Sequence, residues 1–230
     1  MHRGSRTPLA LLVLVVFGCS GDSDDPVSPP PPQSGLPDSI PPANTPANLL
    51  ERFEASWEHE VVAEYTALLT ADFGFTFSNQ SDPDLVVEYG NSWGRSHEIA
   101  STTHLMTGFT NELGEYQAAT SSILFSLDGE SILDDPDHAD SSAWYKLVTI
   151  PSFQTTIRLA DSEQTEFQIF APQRLHLVRG DAAVLAPGQV GSTDRWYVRR
   201  WVDLTPAING PVILPATSAT WGGVKARYYR

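Results

Sequence analysis

Apolar and polar positions change period several times along this chain, and the changes mark its elements. After Thr45-Pro46, the residues Leu49, Leu50, Phe53 and Trp57 recur at helical spacing, and Val61, Val62, Tyr65, Leu68 and Leu69 repeat the pattern in a shifted phase. The spacing predicts two helices, or one bent helix, with the break near His59-Glu60. Thr45 offers a side-chain cap, and Pro46 takes a first helical position where no N–H donor is needed. The period then drops to two: Phe73, Phe75 and Phe77 alternate in ADFGFTF, which predicts a strand. Asp82-Pro83-Asp84 reads as a turn. Residues 95–107 return to helical spacing through Ile99, Thr103 and Met106, with Gly108 as the stop. Beyond them the chain is strand-like near 121–127, 143–159, 165–178 and 195–204, with turns at Asp128-Gly129, Asp161-Ser162 and Arg179-Gly180-Asp181. Helices first and antiparallel strands afterwards define an α+β domain over residues 46–230.

The chain ahead of that domain follows other rules. His2, Arg3 and Arg6 precede an unbroken apolar run, residues 9–17, that ends in Gly18-Cys19. This is the pattern of an export signal, and the run is about half the ~20 residues a helix needs to cross a bilayer. Val16-Phe17-Gly18-Cys19 resembles the lipobox of bacterial lipoproteins, with Val16 and Phe17 in place of the usual Leu and small residue. Ordinary cleavage after Gly18 is the alternative. Cys19 is the only cysteine, so no intramolecular disulfide competes for it, and its acylation (palmitate or a similar chain) is the expected outcome. Several acyl chains anchor a protein firmly where one holds only marginally. The expected organisation is a signal peptide over 1–18, acylated Cys19 with a Pro-rich linker over 19–45, and the domain over 46–230. Residues 20–45 hold four acids, no base and no aromatic residue, so they have no core to bury. Pro29 to Pro32 favour an extended spacer. Ser20, next to the cysteine, fits sorting to the outer membrane.

Charge narrows the partners. With 28 acidic against 14 basic residues the net charge is −14, which excludes a nucleic-acid surface. The same charge repels anionic headgroups, so contact with membrane lipid is expected through acylated Cys19 and not through a basic patch.

The opening LLERFEASWEHEVVAEYTALLTADFGFTF, a helical pair running into a D-F-x-F strand, resembles the start of the NTF2-like (SnoaL-like) superfamily, lipoprotein members included. Three later pieces fit the same pattern: Asn91-Ser92-Trp93-Gly94-Arg95 leading into a helix with Glu98, the run RWYVRRWVD from Arg195, and the closing Thr220-Trp221-Gly222-Gly223-Val224-Lys225. The resemblance implies a cone, in which a strongly curved antiparallel sheet wraps the N-terminal helices and leaves a pocket between them. It also admits homodimers. Related enzymes place Asp, His or Tyr in that pocket for proton transfer, while other members only bind, so fold alone does not assign chemistry.

Candidate chemistry is sparse. Tyr65, on the second helix, and Asp72, at the mouth of the first strand, are the positions best suited to a pocket hydroxyl and a pocket acid. His97, Ser101 and His104 share one stripe of the third helix. That stripe lies opposite Ile99 and Met106 and is expected to face solvent. Trp93 and His176 are candidate ligand contacts, with His176 pointing away from Leu175 and Leu177. The acidic stretch from Asp134 to Asp140 lacks the Gly and terminal Glu of a calcium loop and reads as a solvated hairpin loop. No zinc, phosphate-loop, nucleophile-elbow or dinucleotide motif is present, so neither a metal nor a cofactor is expected. The reading that follows is an exported, lipid-anchored binding module of the cell envelope, taking a small apolar ligand or a protein partner. The alternatives are an isomerase, dehydratase or hydrolase working from the pocket, and a structural envelope component.

Overall fold

The structure is a computed structural model that describes residues 35–161, 163, 165–189, 191–206 and 219–229. The expected signal peptide, Cys19 and most of the Pro-rich linker lie outside the described residues.

Helix α1, Pro46–Glu58, starts where the cap predicts, with the Thr45 side chain accepting from the Asn48 N–H at 3.1 Å. Its buried stripe is Leu49, Leu50, Phe53 and Trp57. The chain breaks at Glu60, whose φ of 55° lies in the left-handed region that a helix cannot continue through. Helix α2, Val62–Leu68, then runs directly into β1, Leu69–Thr76. Helix α3, Pro83–Tyr89, β2, Ser92–Gly94, and α4, Arg95–Thr107, follow, and α4 stops at Gly108 with a φ of 71°. After the small β3–β4 hairpin (Phe109–Thr110, Tyr116–Gln117) come β5, Thr120–Ser126, and β6, Ser131–Asp134. A 3₁₀ turn, Pro136–Ser141, leads to the long strands β7, Tyr145–Leu159, and β8, Glu166–Arg179. Strand β9, Trp196–Asp203, and helix α5, Trp221–Arg227, end the fold.

The main sheet has the order β2-β1-β9-β8-β7-β5, with β6 also pairing with β7. Every pair is antiparallel except β1 with β9. The α+β class and the large curved sheet with helices on one face are as the resemblance implies. One face carries the core. Phe73, Phe75, Phe125, Phe153, Leu175, Leu177 and Trp201 meet Phe53 and Trp57 of α1 there, all at most 2% exposed.

Three departures from the expected layout have physical causes. Asp82-Pro83-Asp84 opens α3 instead of a simple turn: Pro83 occupies the first helical turn, and no residue of the helix is fully buried, so no apolar stripe announced it. Helix α5 is short and capped by the Thr220 side chain, which accepts from the Gly223 N–H at 2.9 Å. It packs so closely that a Cβ on Gly222 would lie 2.9 Å from Phe77 Cδ1. The last residues of the expected linker also lie against the domain: Ala43 is buried and its carbonyl accepts from the Trp196 N–H at 2.8 Å. Among the described residues no helix is long and apolar enough to cross a membrane.

Candidate functional site

The concavity that should hold a pocket is occupied by the chain itself. Helix α5 inserts Trp221 and Lys225 between α1, α4 and the sheet, and Trp221 stacks on Trp201 with ring centroids 5.2 Å apart. The Lys225 ammonium lies 4.1 Å from the Trp201 ring centroid, 4.2 Å from that of Phe75 and 5.1 Å from that of Trp221. Aromatic faces carry the negative part of the ring quadrupole and attract such a cation. Glu98 of α4 supplies the counter-charge. Its Oε1 accepts from Lys225 Nζ and from the Tyr65 hydroxyl, and its Oε2 accepts from Trp93 Nε1 at 3.1 Å. Ser101 Oγ donates to the Lys225 carbonyl at 2.7 Å, tying α4 to α5.

Burial governs the protonation of this cluster. It lowers Lys225 to about 8, against the opposing pull of Glu98. It also pushes Tyr65 well above its ordinary value, helped by the negative charge of Glu98 and the hydrogen bond to it. Tyr65 therefore stays a neutral donor, and Glu98 is an acceptor with donors on both oxygens. A buried ion pair with its hydrogen bonds made is costly to break. Its members hold each other.

The opposite sheet face is different. Asp135 follows β6 and tucks under the 3₁₀ turn, where it is only 2% exposed. One of its oxygens accepts from the Asp137 N–H at 3.0 Å and the other lies 2.9 Å from His176 Nδ1. Burial by itself would raise the Asp135 carboxyl, but the His176 hydrogen bond, the Asp137 N–H and the nearby imidazoles hold it below its ordinary value. A bulge between β8 and β9 pairs His176 with Arg200 but Leu177 with Val198, so Arg199 is the extra residue. Bulges re-aim side chains, and here both arginines line one cleft of about 250 Å³ together with Asp135, His138, Tyr145 and His176. Arg199 Nε donates to Asp72 at 3.0 Å, and Arg199 Nη1 lies 3.4 Å from His138 Nε2. The His138 ring stacks on Tyr145 at 3.8 Å. Arg200 is exposed and makes no ion pair among the described residues. Asp135, Asp137 and His176 bring three possible metal-ligand atoms within 4.8 Å of one another, although the guanidiniums beside them oppose a dication.

The sequence candidates divide between these places. Tyr65 and Trp93 are brought together in the interior through Glu98. Asp72 is on the outer face, paired with Arg199, and lies outside the aromatic interior. His176 faces away from Leu175 and Leu177 as its alternation requires, but its partner Asp135 is buried and so is not part of a solvated loop. The histidine stripe of α4 does not face solvent. Ser101 is fully buried, His97 stacks on Trp93 and contacts Tyr229, and His104 Nδ1 donates to the Tyr228 carbonyl at 2.8 Å. The turned face follows from Glu98, which draws α4 toward Lys225 so that Glu98, Ser101, Thr102 and Leu105 go inside; of the expected stripe Met106 is buried and Ile99 stays half-buried. Sequence reasoning missed Glu98, Lys225, Asp135, Arg199 and Arg200 as a set. Only Glu98 left a local signal: it sits four and seven residues ahead of Thr102 and Leu105, on the stripe that ends in a leucine.

No family model matches the chain, and no curated protein matches it. Several solved structures are similar in fold. One is an NTF2-like superfamily protein from Salmonella enterica serovar Typhimurium LT2, 11% identical, covering 73% of this chain and 93% of that one with a TM-score of 0.45. Another is a protein described as a SnoaL-like polyketide cyclase, from Shewanella denitrificans OS-217, 13% identical over 69% and 88% of the two chains with a TM-score of 0.37. A third is AusH from Aspergillus nidulans, 10% identical over 71% and 86% with a TM-score of 0.38. At these identities and scores, nothing about activity passes from those proteins to this chain.

Proposed function

We propose that this chain is an exported binding module, held at the cell envelope by acylated Cys19, that works from the outer face of its sheet and not from the interior of the cone. The observation that carries the second half is the occupation of the interior by Lys225 and its rings, set against an outer cleft lined by an exposed arginine and a histidine fixed by a buried aspartate. The first half is supported by the basic start, the nine-residue apolar run and the single cysteine at its end. A Pro-rich spacer then places the domain away from the bilayer, where a ligand reaches the sheet face freely.

The test of anchoring is envelope fractionation of the full chain and of Cys19→Ser. The parent should stay with membranes and the variant should be released after export. A variant retained as firmly as the parent would refute the tether.

A second reading, acid–base catalysis, is favoured by one feature: the Asp135–His176 pair fixes an imidazole through Nδ1, an arrangement that orients a general base. The other rings of the cleft, His138 and Tyr145, stack on each other, while the exposed Arg200 guanidinium is a binding group and not a proton-transfer group, so binding is the preferred reading.

A further inference from the structure

The geometry points to a small carboxylate as the ligand of the outer cleft, with the Arg200 guanidinium as its main partner and the Asp135-held His176 as a second contact. The inference rests on the proposed outer-face function and names the ligand class for it.

The exposed guanidinium of Arg200 decides the sign of the ligand. The net charge of −14 belongs to the whole chain, but exposed charges beyond a Debye length of about 8 Å are largely screened at physiological salt. Within the cleft, Arg199 is balanced by Asp72, and both oxygens of Asp135 are engaged by His176 and the Asp137 N–H. That leaves Arg200 without a partner among the described residues and Asp137 at the exposed rim. The bulge at Arg199 is what makes this possible. In a regular strand neighbouring side chains point to opposite faces, whereas here two consecutive arginines line the same cleft. A guanidinium presents a planar fork that matches a carboxylate in a bidentate pair. The dication alternative needs Asp135 to give up its His176 contact and places the metal beside two guanidiniums, so the anion is the better fit.

Size narrows the class further. A cleft of about 250 Å³ falls below the ~300–1,000 Å³ typical of sites for drug-sized ligands, which suits a short dicarboxylate or a one-ring aromatic acid. The stacked His138–Tyr145 rings form an apolar wall for the ligand body.

The experiment is calorimetric titration of the full chain in detergent with succinate, benzoate, inorganic phosphate and, separately, Mn²⁺. One of the two carboxylates should bind more tightly than phosphate. Arg200→Gln should weaken that binding by about tenfold or more, as loss of a charge-assisted pair does. Arg179→Gln, outside the cleft, should bind like the parent, and Arg200→Gln should melt like the parent. Absence of carboxylate binding, carboxylate binding indifferent to Arg200→Gln, or Mn²⁺ binding lost in His176→Ala without any anion binding would each overturn the inference. In a further titration, tight naphthalene binding that survives Arg200→Gln would instead sink the outer-face function itself.

Discussion

Glu98 on α4 and Lys225 on α5, 127 residues apart in sequence, form an ion pair whose side chains are 0% and 1% exposed. The pair closes the cone by chemistry as well as by shape. Lys225 brings a charge into an aromatic interior, and Glu98, the ring faces and, to a smaller extent, Asp203 compensate for it. Removing one partner leaves the other charged and buried, which costs about 3–5 kcal/mol. Lys225→Met and Glu98→Gln should each lose roughly that much in urea unfolding. The double variant Glu98→Gln/Lys225→Met should lose less than the sum, because the amide oxygen can still accept from Tyr65 while no charge remains. Additive losses would show that the two residues do not act as a pair.

Glu54 provides a pH signature. Burial, with the nearby charges of Glu58, Asp128 and Glu130, raises it from 4.5 to about 7. The folded chain therefore keeps a proton that the unfolded chain has released, so this group favours folding below 4.5 and loses that contribution as pH rises to about 7. Stability should fall across that window, and Glu54→Gln should flatten the fall. Urea midpoints for both proteins at several pH values decide it. A parallel decline in the variant would remove Glu54 as the cause.

The N-terminal boundary is also testable. A chain beginning at Thr45 keeps the cap of α1 but loses the Ala43 carbonyl, which accepts from Trp196, and the Pro41 carbonyl, which accepts from Arg52. An unmatched buried backbone group costs about 1–3 kcal/mol. A chain beginning at Pro37 should melt higher than one beginning at Thr45, by a margin of that order. Equal melting temperatures would place the segment outside the cooperative unit.

Much of the fold was legible because its signals are local. The alternation of Phe73, Phe75 and Phe77, the Thr45-Pro46 start and the stop at Gly108 each act within a few residues. The phase shift near Glu60 was legible for the same reason. Helix α3 was not, since it buries no complete side chain and so carries no apolar period. The sites were hardest. His176 and Asp135 are 41 residues apart, and Arg199 meets Asp72 across 127. The face of α4 was misjudged because periodicity weighs apolar residues. Beside Leu105 and Met106 that helix turns a carboxylate, a serine and a threonine inward, and what makes them tolerable there is a lysine at the far end of the chain.

The most direct test of a closed interior uses the two lysines of the sequence, Lys146 and Lys225, whose side chains are 25% and 1% exposed. The folded chain is treated briefly with an amine-acetylating reagent, and the modified peptides are quantified by mass spectrometry beside a urea-unfolded control. With the interior closed, Lys146 is acetylated in the folded chain while Lys225 is protected, and both react once the chain is unfolded. Acetylation of Lys225 at the rate of Lys146 under native conditions would mean that the cone opens, and would contradict a module that binds only from its outer face.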